Sequence, residues 1–67
     1  MFKVDSNRIR ALLLQNGLPL SEFAEKCGLN VLTVRRTLNA DAIATIKTIS
    51  ALAKFFGVPA DSLILKS

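Results

Sequence analysis

Turn-forming residues punctuate this chain so regularly that they dictate what fits between them. Gly17-Leu18-Pro19, Gly28, Asn39-Ala40-Asp41 and Gly57-Val58-Pro59 each interrupt any helix or strand that would run through them. Inside the segments they leave, apolar residues recur at helical spacing. No repeat, low-complexity tract or linker lies among them. At 67 residues the chain is expected to be one domain, near the lower size limit for a core without staples.

The first segment predicts a helix over about residues 7–16, with Asp5 or Ser6 placed to cap its free N–H groups. Ile9, Leu12 and Leu13 share one face, Leu14 sits well off it, and Gly17 ends the run. A second helix, about residues 19–27, begins on Pro19, which a first helical turn tolerates. Leu20, Phe23, Ala24 and Cys27 follow the i, i+3, i+4, i+7 rule. Cys27 therefore reads as a small buried apolar residue rather than a redox centre or ligand. The third helix starts after Asn30, a good N-cap, and ends near Asn39. In the fourth, Thr45 caps, Ile46, Ile49, Leu52, Ala53 and Phe56 form a stripe, and Gly57 closes. A last segment, Ala60 to about Leu65, is one turn or two. Phe2 and Val4 alternate with polar residues, as does part of Leu63-Ile64-Leu65-Lys66, so the two ends could pair as a short β-ribbon. The expected fold is all-α: a compact five-helix domain spanning residues 1–67, with that terminal ribbon possible.

Composition removes several functions. The chain is 51% hydrophobic and 21% charged, a globule rather than a disordered segment. One cysteine allows no internal disulfide, and with no histidine a zinc site of the usual Cys/His kind is excluded. Enzymatic chemistry lacks its usual groups: no histidine, no tyrosine and five carboxylates. Asp5, Glu22 and Asp61 fall near helix starts, where they favour the helix dipole. No glycine-rich phosphate loop follows a strand, and no catalytic residue or cofactor is expected. No apolar run approaches the ~20 residues that span a bilayer, and MFKVDSNR lacks the apolar core of a secretory signal. The expectation is a cytoplasmic protein with no membrane partner. Nine basic residues against five acidic ones give +4, which favours a polyanionic partner but is equally the charge of a solvated surface.

The second and third helices are joined by a few residues around Gly28, so their axes must cross steeply. Such a crossing needs a small residue at the closest approach, and Ala24 supplies it. The turn needs a residue comfortable at positive φ, and Gly28 supplies that. Val34, on the inner face of the next helix, is placed to pack back on Ala24 and Phe23. With Val34 and Leu38 inward, a rotation of about 100° per residue points Leu32, Thr33, Arg35 and Arg36 outward, with Val31 at the margin.

These features resemble one family. "LPLSEFAEKCGLNVLTVRRTLNA" followed by "TIKTISALAKFFGVPADSLI" is similar to the Cro/lambda-repressor-type helix-turn-helix family, also called XRE-like. The likeness runs from about Arg8 to Ile64. It rests on the G-L-x-x-x-E-F-A-E-K-x-G-L run, the Asn after the third helix and the ALAKFFGV-x-x-D-x-L ending. The resemblance implies five helices and a homodimer that binds duplex DNA at a (pseudo)palindromic operator. It also implies a repressor of phage, mobile-element or bacterial genes, working at the nucleoid; with little room for a pocket among five short helices, no small-molecule ligand is expected.

In that family the third helix enters the major groove. Carried over, Arg36 matches a base-reading position, where a guanidinium can take guanine O6 and N7 together. Arg35 is then aimed at phosphate, although the two arginines could exchange roles, and Thr33 at a phosphate or a thymine methyl. Asn39 would cap the third helix and offer a backbone contact. Thr45 and Lys47, at the start of the fourth helix, form a phosphate seat. Ser21 and Asn30 complete the implied DNA-facing set. Outside this context the Arg35-Arg36 pair would read as a solvated helix face.

Several positions depart from the family pattern. Leu20, Val31 and Leu32 are aliphatic where relatives are often polar. Pro19 replaces a common capping Ser or Thr, Ala40 replaces the usual Gly, and Thr37 stands where a larger apolar side chain commonly packs. Two readings of Val31 and Leu32 stand: contact with thymine methyls, or an apolar patch rimmed by arginines that meets a protein. The second makes the fold a protein-interaction module or scaffold. Leu14, the Phe55-Phe56 pair and Leu63-Ile64-Leu65 suggest a further surface for self-association, or simply a small core using every apolar residue.

Overall fold

A computed structural model of the chain describes residues 1–65. In chain order the elements are strand β1 (Phe2–Lys3) and helices α1 (Ser6–Asn16), α2 (Leu20–Cys27) and α3 (Val31–Arg36). Strand β2 (Ile43–Ala44), helix α4 (Ile46–Phe56) and a 3-10 turn (Ala60–Leu63) follow.

The helix boundaries fall where local chemistry puts them. Asp5 caps α1 by accepting from the Arg8 N–H, Asn30 caps α3 by accepting from the Leu32 N–H at 2.8 Å, and Thr45 caps α4 through the Thr48 N–H. Gly28 ends α2 at φ 72°, with its own N–H donating to the Glu25 carbonyl and the Leu29 N–H to the Ala24 carbonyl. That paired closure needs a left-handed residue, and it turns the chain directly into α3.

The core gathers one face of each helix together with Val4, Ala44 and Leu63. Val4, Ile9, Phe23, Ala24, Val34, Ile49, Leu52, Ala53 and Leu63 are buried together. Phe23 lies at the centre of an aromatic trio, edge-on to Phe55 at 4.9 Å and stacked on Phe56 at 5.3 Å. Cys27 packs against this cluster while half-buried, as its helical spacing requires. Thr37 is also fully buried, and its hydroxyl donates to the Val34 carbonyl at 2.6 Å. A polar residue thus occupies a site where an apolar one would fit, with its hydrogen bond satisfied internally.

Five helices were expected, and four form. The segment after Pro59 makes only the 3-10 turn before Ile64 becomes extended, at φ −110° and ψ 134°. The reason is the competing partner: Ile64 bridges Val4, and the Leu65 N–H donates to the Lys3 carbonyl at 2.9 Å. The two ends therefore do meet, although the ladder of β1 itself runs to β2, with Phe2 opposite Ala44 and Lys3 opposite Ile43. The Lys66 part of the expected ribbon lies outside the described residues. Two further corrections concern side chains. Ile46 heads the apolar stripe of α4 but is 52% exposed, because the first turn extends beyond the core. Asn39 does not cap α3, which stops at Arg36 with Thr37 as its cap residue; only the Asn39 backbone N–H takes part, donating to the Arg36 carbonyl.

Candidate nucleic-acid interface

The short α3 owes its position to what flanks it. Six residues make too few hydrogen bonds to persist alone, so the helix depends on its cap, its buried Val34 and its trailing turn. Carbonyls at its end are taken up in succession: Val34 by Thr37, Arg35 by the Leu38 N–H, Arg36 by the Asn39 N–H. The Leu38 carbonyl beyond them accepts from the Arg10 guanidinium of α1 at 2.6 Å. This last bond spans 28 residues and fixes the exit of α3 to the first helix.

The outward face of α3 has three of the four residues its periodicity placed there. Leu32 is 54% exposed, Arg35 and Arg36 are exposed, and Thr33 is half-buried. Val31 is half-buried and packs against the core, as does Leu20. The aliphatic trio is therefore split, and only Leu32 stands free enough to meet a partner with most of its surface. Among the described residues Arg10 is the one arginine whose side chain makes a hydrogen bond, so the guanidiniums of Arg35 and Arg36 keep every donor available.

Two helices joined by the short turn at Gly28, the second presenting two unpaired arginines, have a counterpart among known families. A helix-turn-helix family model matches residues 9–63, most of the chain. The chain belongs to the Cro/lambda-repressor-type (XRE) helix-turn-helix family. This is a family of DNA-binding regulators, typically non-enzymatic. No curated protein and no solved structure matches the chain.

Within this XRE-type domain the remaining residues of the implied DNA-facing set sit on three other segments. Ser21 is exposed in the first turn of α2, Asn39 is exposed after α3, and Thr45 and Lys47 are exposed at the start of α4. Two of the set have a structural task first. The Asn30 side-chain oxygen is committed to the Leu32 N–H, and the Thr45 hydroxyl to Thr48. The Asn30 amide group remains free to donate. Lys47 faces a groove that it shares with Lys26 and Lys54. Arg10 was missed from sequence, since nothing local signals a bond across 28 residues. Burial pushes the Cys27 thiol upward from its usual pKa, so it stays neutral and apolar at physiological pH. Among the described residues no cluster of His, Cys, Asp and Glu could hold a metal ion, and no helix is long and apolar enough to cross a membrane.

Proposed function

We propose that the chain is a sequence-specific duplex-DNA-binding transcriptional regulator, a repressor of phage, mobile-element or bacterial genes. In this reading α3 lies in the major groove of a (pseudo)palindromic operator, and the protein acts as a homodimer at the nucleoid. The supporting observation is the pair Arg35 and Arg36, exposed and unpaired on the outward face of α3 in a helix-turn-helix family member. Arg36 reads a guanine, Arg35 and Lys47 hold phosphates, and Leu32 meets a thymine methyl. Thr33 makes an accessory contact, while Val31 contributes mainly by seating the helix. Ser21, Asn30, Asn39 and Thr45 line the backbone on either side.

Selection of bound sequences from random duplex DNA, with stoichiometry measured alongside, tests this directly. A recovered two-fold motif is the expected outcome. Replacing Arg36 with Ala then costs about 1–3 kcal/mol and relaxes one position per half-site. Equal weakening on every sequence would remove Arg36 from base reading.

One observation favours the second reading, a protein-interaction module. Leu13, Leu14, Leu18, Leu20 and Leu38 line an apolar depression of about 310 Å³ beside the helix pair, with Leu14 78% exposed. Affinity for DNA that stays non-specific and falls steeply with salt on every sequence would favour it.

A further inference from the structure

A second concavity lies between the end of α2 and the side of α4, with a volume of about 450 Å³. Lys47, Ser50, Ala51 and Lys54 form its floor on α4 at i, i+3, i+4 and i+7. That spacing puts them on one face, with the two lysines about 10 Å apart along the axis. Lys26 and Cys27 form the opposite wall, and Phe55 closes one side.

Three features of this groove are unlike an ordinary solvated surface. Lys26, Lys47 and Lys54 line one depression, and no acidic residue lines it with them. Among the described residues none of the three ammonium groups has an ion pair or hydrogen bond. Like charges facing one concavity repel, and an anion between them turns that repulsion into attraction. The apolar side is preformed. Phe55 is held edge-on by Phe23 at 4.9 Å and by Phe56 at 5.6 Å, so its ring needs no ordering when a ligand arrives. Ser50 is exposed with its hydroxyl unbonded among the described residues, which leaves a polar handle between lysines and ring.

We propose that this groove binds a nucleotide-class small anion, its phosphates on Lys26, Lys47 and Lys54 and its base against Phe55. Lysine ammonium groups hold phosphate as point charges, and an aromatic ring accepts any base by its face. A duplex backbone is a poorer match, because projecting side chains contact it without needing a recessed ring. The groove shares Lys47 with the proposed contact to the DNA backbone, so duplex and small anion compete for it, and the duplex arm of the test separates the two.

Cys27 is the only thiol of the chain and lines this groove, so its alkylation reports occupancy. The full chain is treated with iodoacetamide at constant ionic strength beside ATP, tripolyphosphate, adenosine or a random-sequence duplex. ATP at ten times its dissociation constant should slow the reaction about tenfold by simple occupancy, with tripolyphosphate and adenosine protecting less. Lys54→Gln and Lys26→Gln, each with an unchanged circular dichroism spectrum, should abolish the protection. Equal protection by ATP and tripolyphosphate would overturn the nucleotide assignment. Protection by the duplex but not by ATP would overturn it too and assign the groove to the DNA backbone. Absence of any slowing, or slowing that survives Lys54→Gln, would overturn the site altogether.

Discussion

Gly28 and Thr37 show how single residues place the candidate interface without belonging to it. Gly28 sits at φ 72° with open space where a Cβ would point, so Gly28→Ala meets no clash. Its cost is conformational, about 1–2 kcal/mol for a left-handed residue bearing a Cβ. Urea denaturation should show that loss, with the far-UV spectrum unchanged. Thr37→Val preserves shape but removes the hydroxyl that donates to the Val34 carbonyl. The Thr37 N–H still donates to that carbonyl, so the loss should be about 1 kcal/mol, read from the same titration. Cys27 gives a pH signature. Its thiol has a raised pKa because burial disfavours the thiolate. The folded chain should therefore alkylate more slowly than the urea-unfolded chain near neutral pH, with its rate profile displaced to higher pH. For stability the sign is unambiguous: an acid harder to ionise when folded costs nothing below the unfolded pKa. It lowers stability as pH rises above that value.

Among the elements, α3 is the one whose existence is conditional. Its six residues stand on the Asn30 cap, the buried Val34 and a trailing turn tied to Arg10. Asn30→Ala removes the acceptor of the Leu32 N–H and should cost about 0.5–2 kcal/mol. Because that loosens the first turn of α3, affinity for every duplex should fall together, which fluorescence anisotropy on specific and random DNA would distinguish from a lost base contact. The caps of α1 and α4 and the closing glycines of α1, α2 and α4 were legible in the sequence because each signal is local: Asp5, Thr45, Gly17, Gly28, Gly57. The outward face of α3 was legible too, since rotation from Val34 assigns it. What local patterns could not show were choices made by distant partners. Residues 42–44, between the Asn39-Ala40-Asp41 break and the Thr45 cap, carried no element in the pattern, yet Ile43–Ala44 pairs with β1. Ala60 to Leu65 carried helical composition, yet Val4 draws Ile64 into a bridge. Val31 and Leu32 looked alike in sequence, and only the packing separates a seated residue from a free one. The three lysines of the α2–α4 groove come from two helices, and their convergence has no signature in the linear pattern.

For the molecule as a whole, size sets the scale of what a change can do. A radius of gyration of 10.5 Å matches the roughly 11 Å expected of a folded chain this long. Small domains of this kind hold few kcal/mol in reserve. Phe23 touches both other rings of the aromatic trio and is fully buried. Phe23→Ala should cost about 3–5 kcal/mol, enough to leave much of the chain unfolded at room temperature by circular dichroism.

The bridge between Val4 and Ile64 brings residues from opposite ends of the sequence side by side. The path of the backbone is thus almost a closed loop. A linker between Leu65 and Phe2, with a new opening cut between Ala40 and Asp41, would keep the Thr37, Leu38 and Asn39 hydrogen bonds that close α3 within one segment. Such a permuted chain would present its new ends beside the exit of α3, a ready point for splicing two copies into one polypeptide.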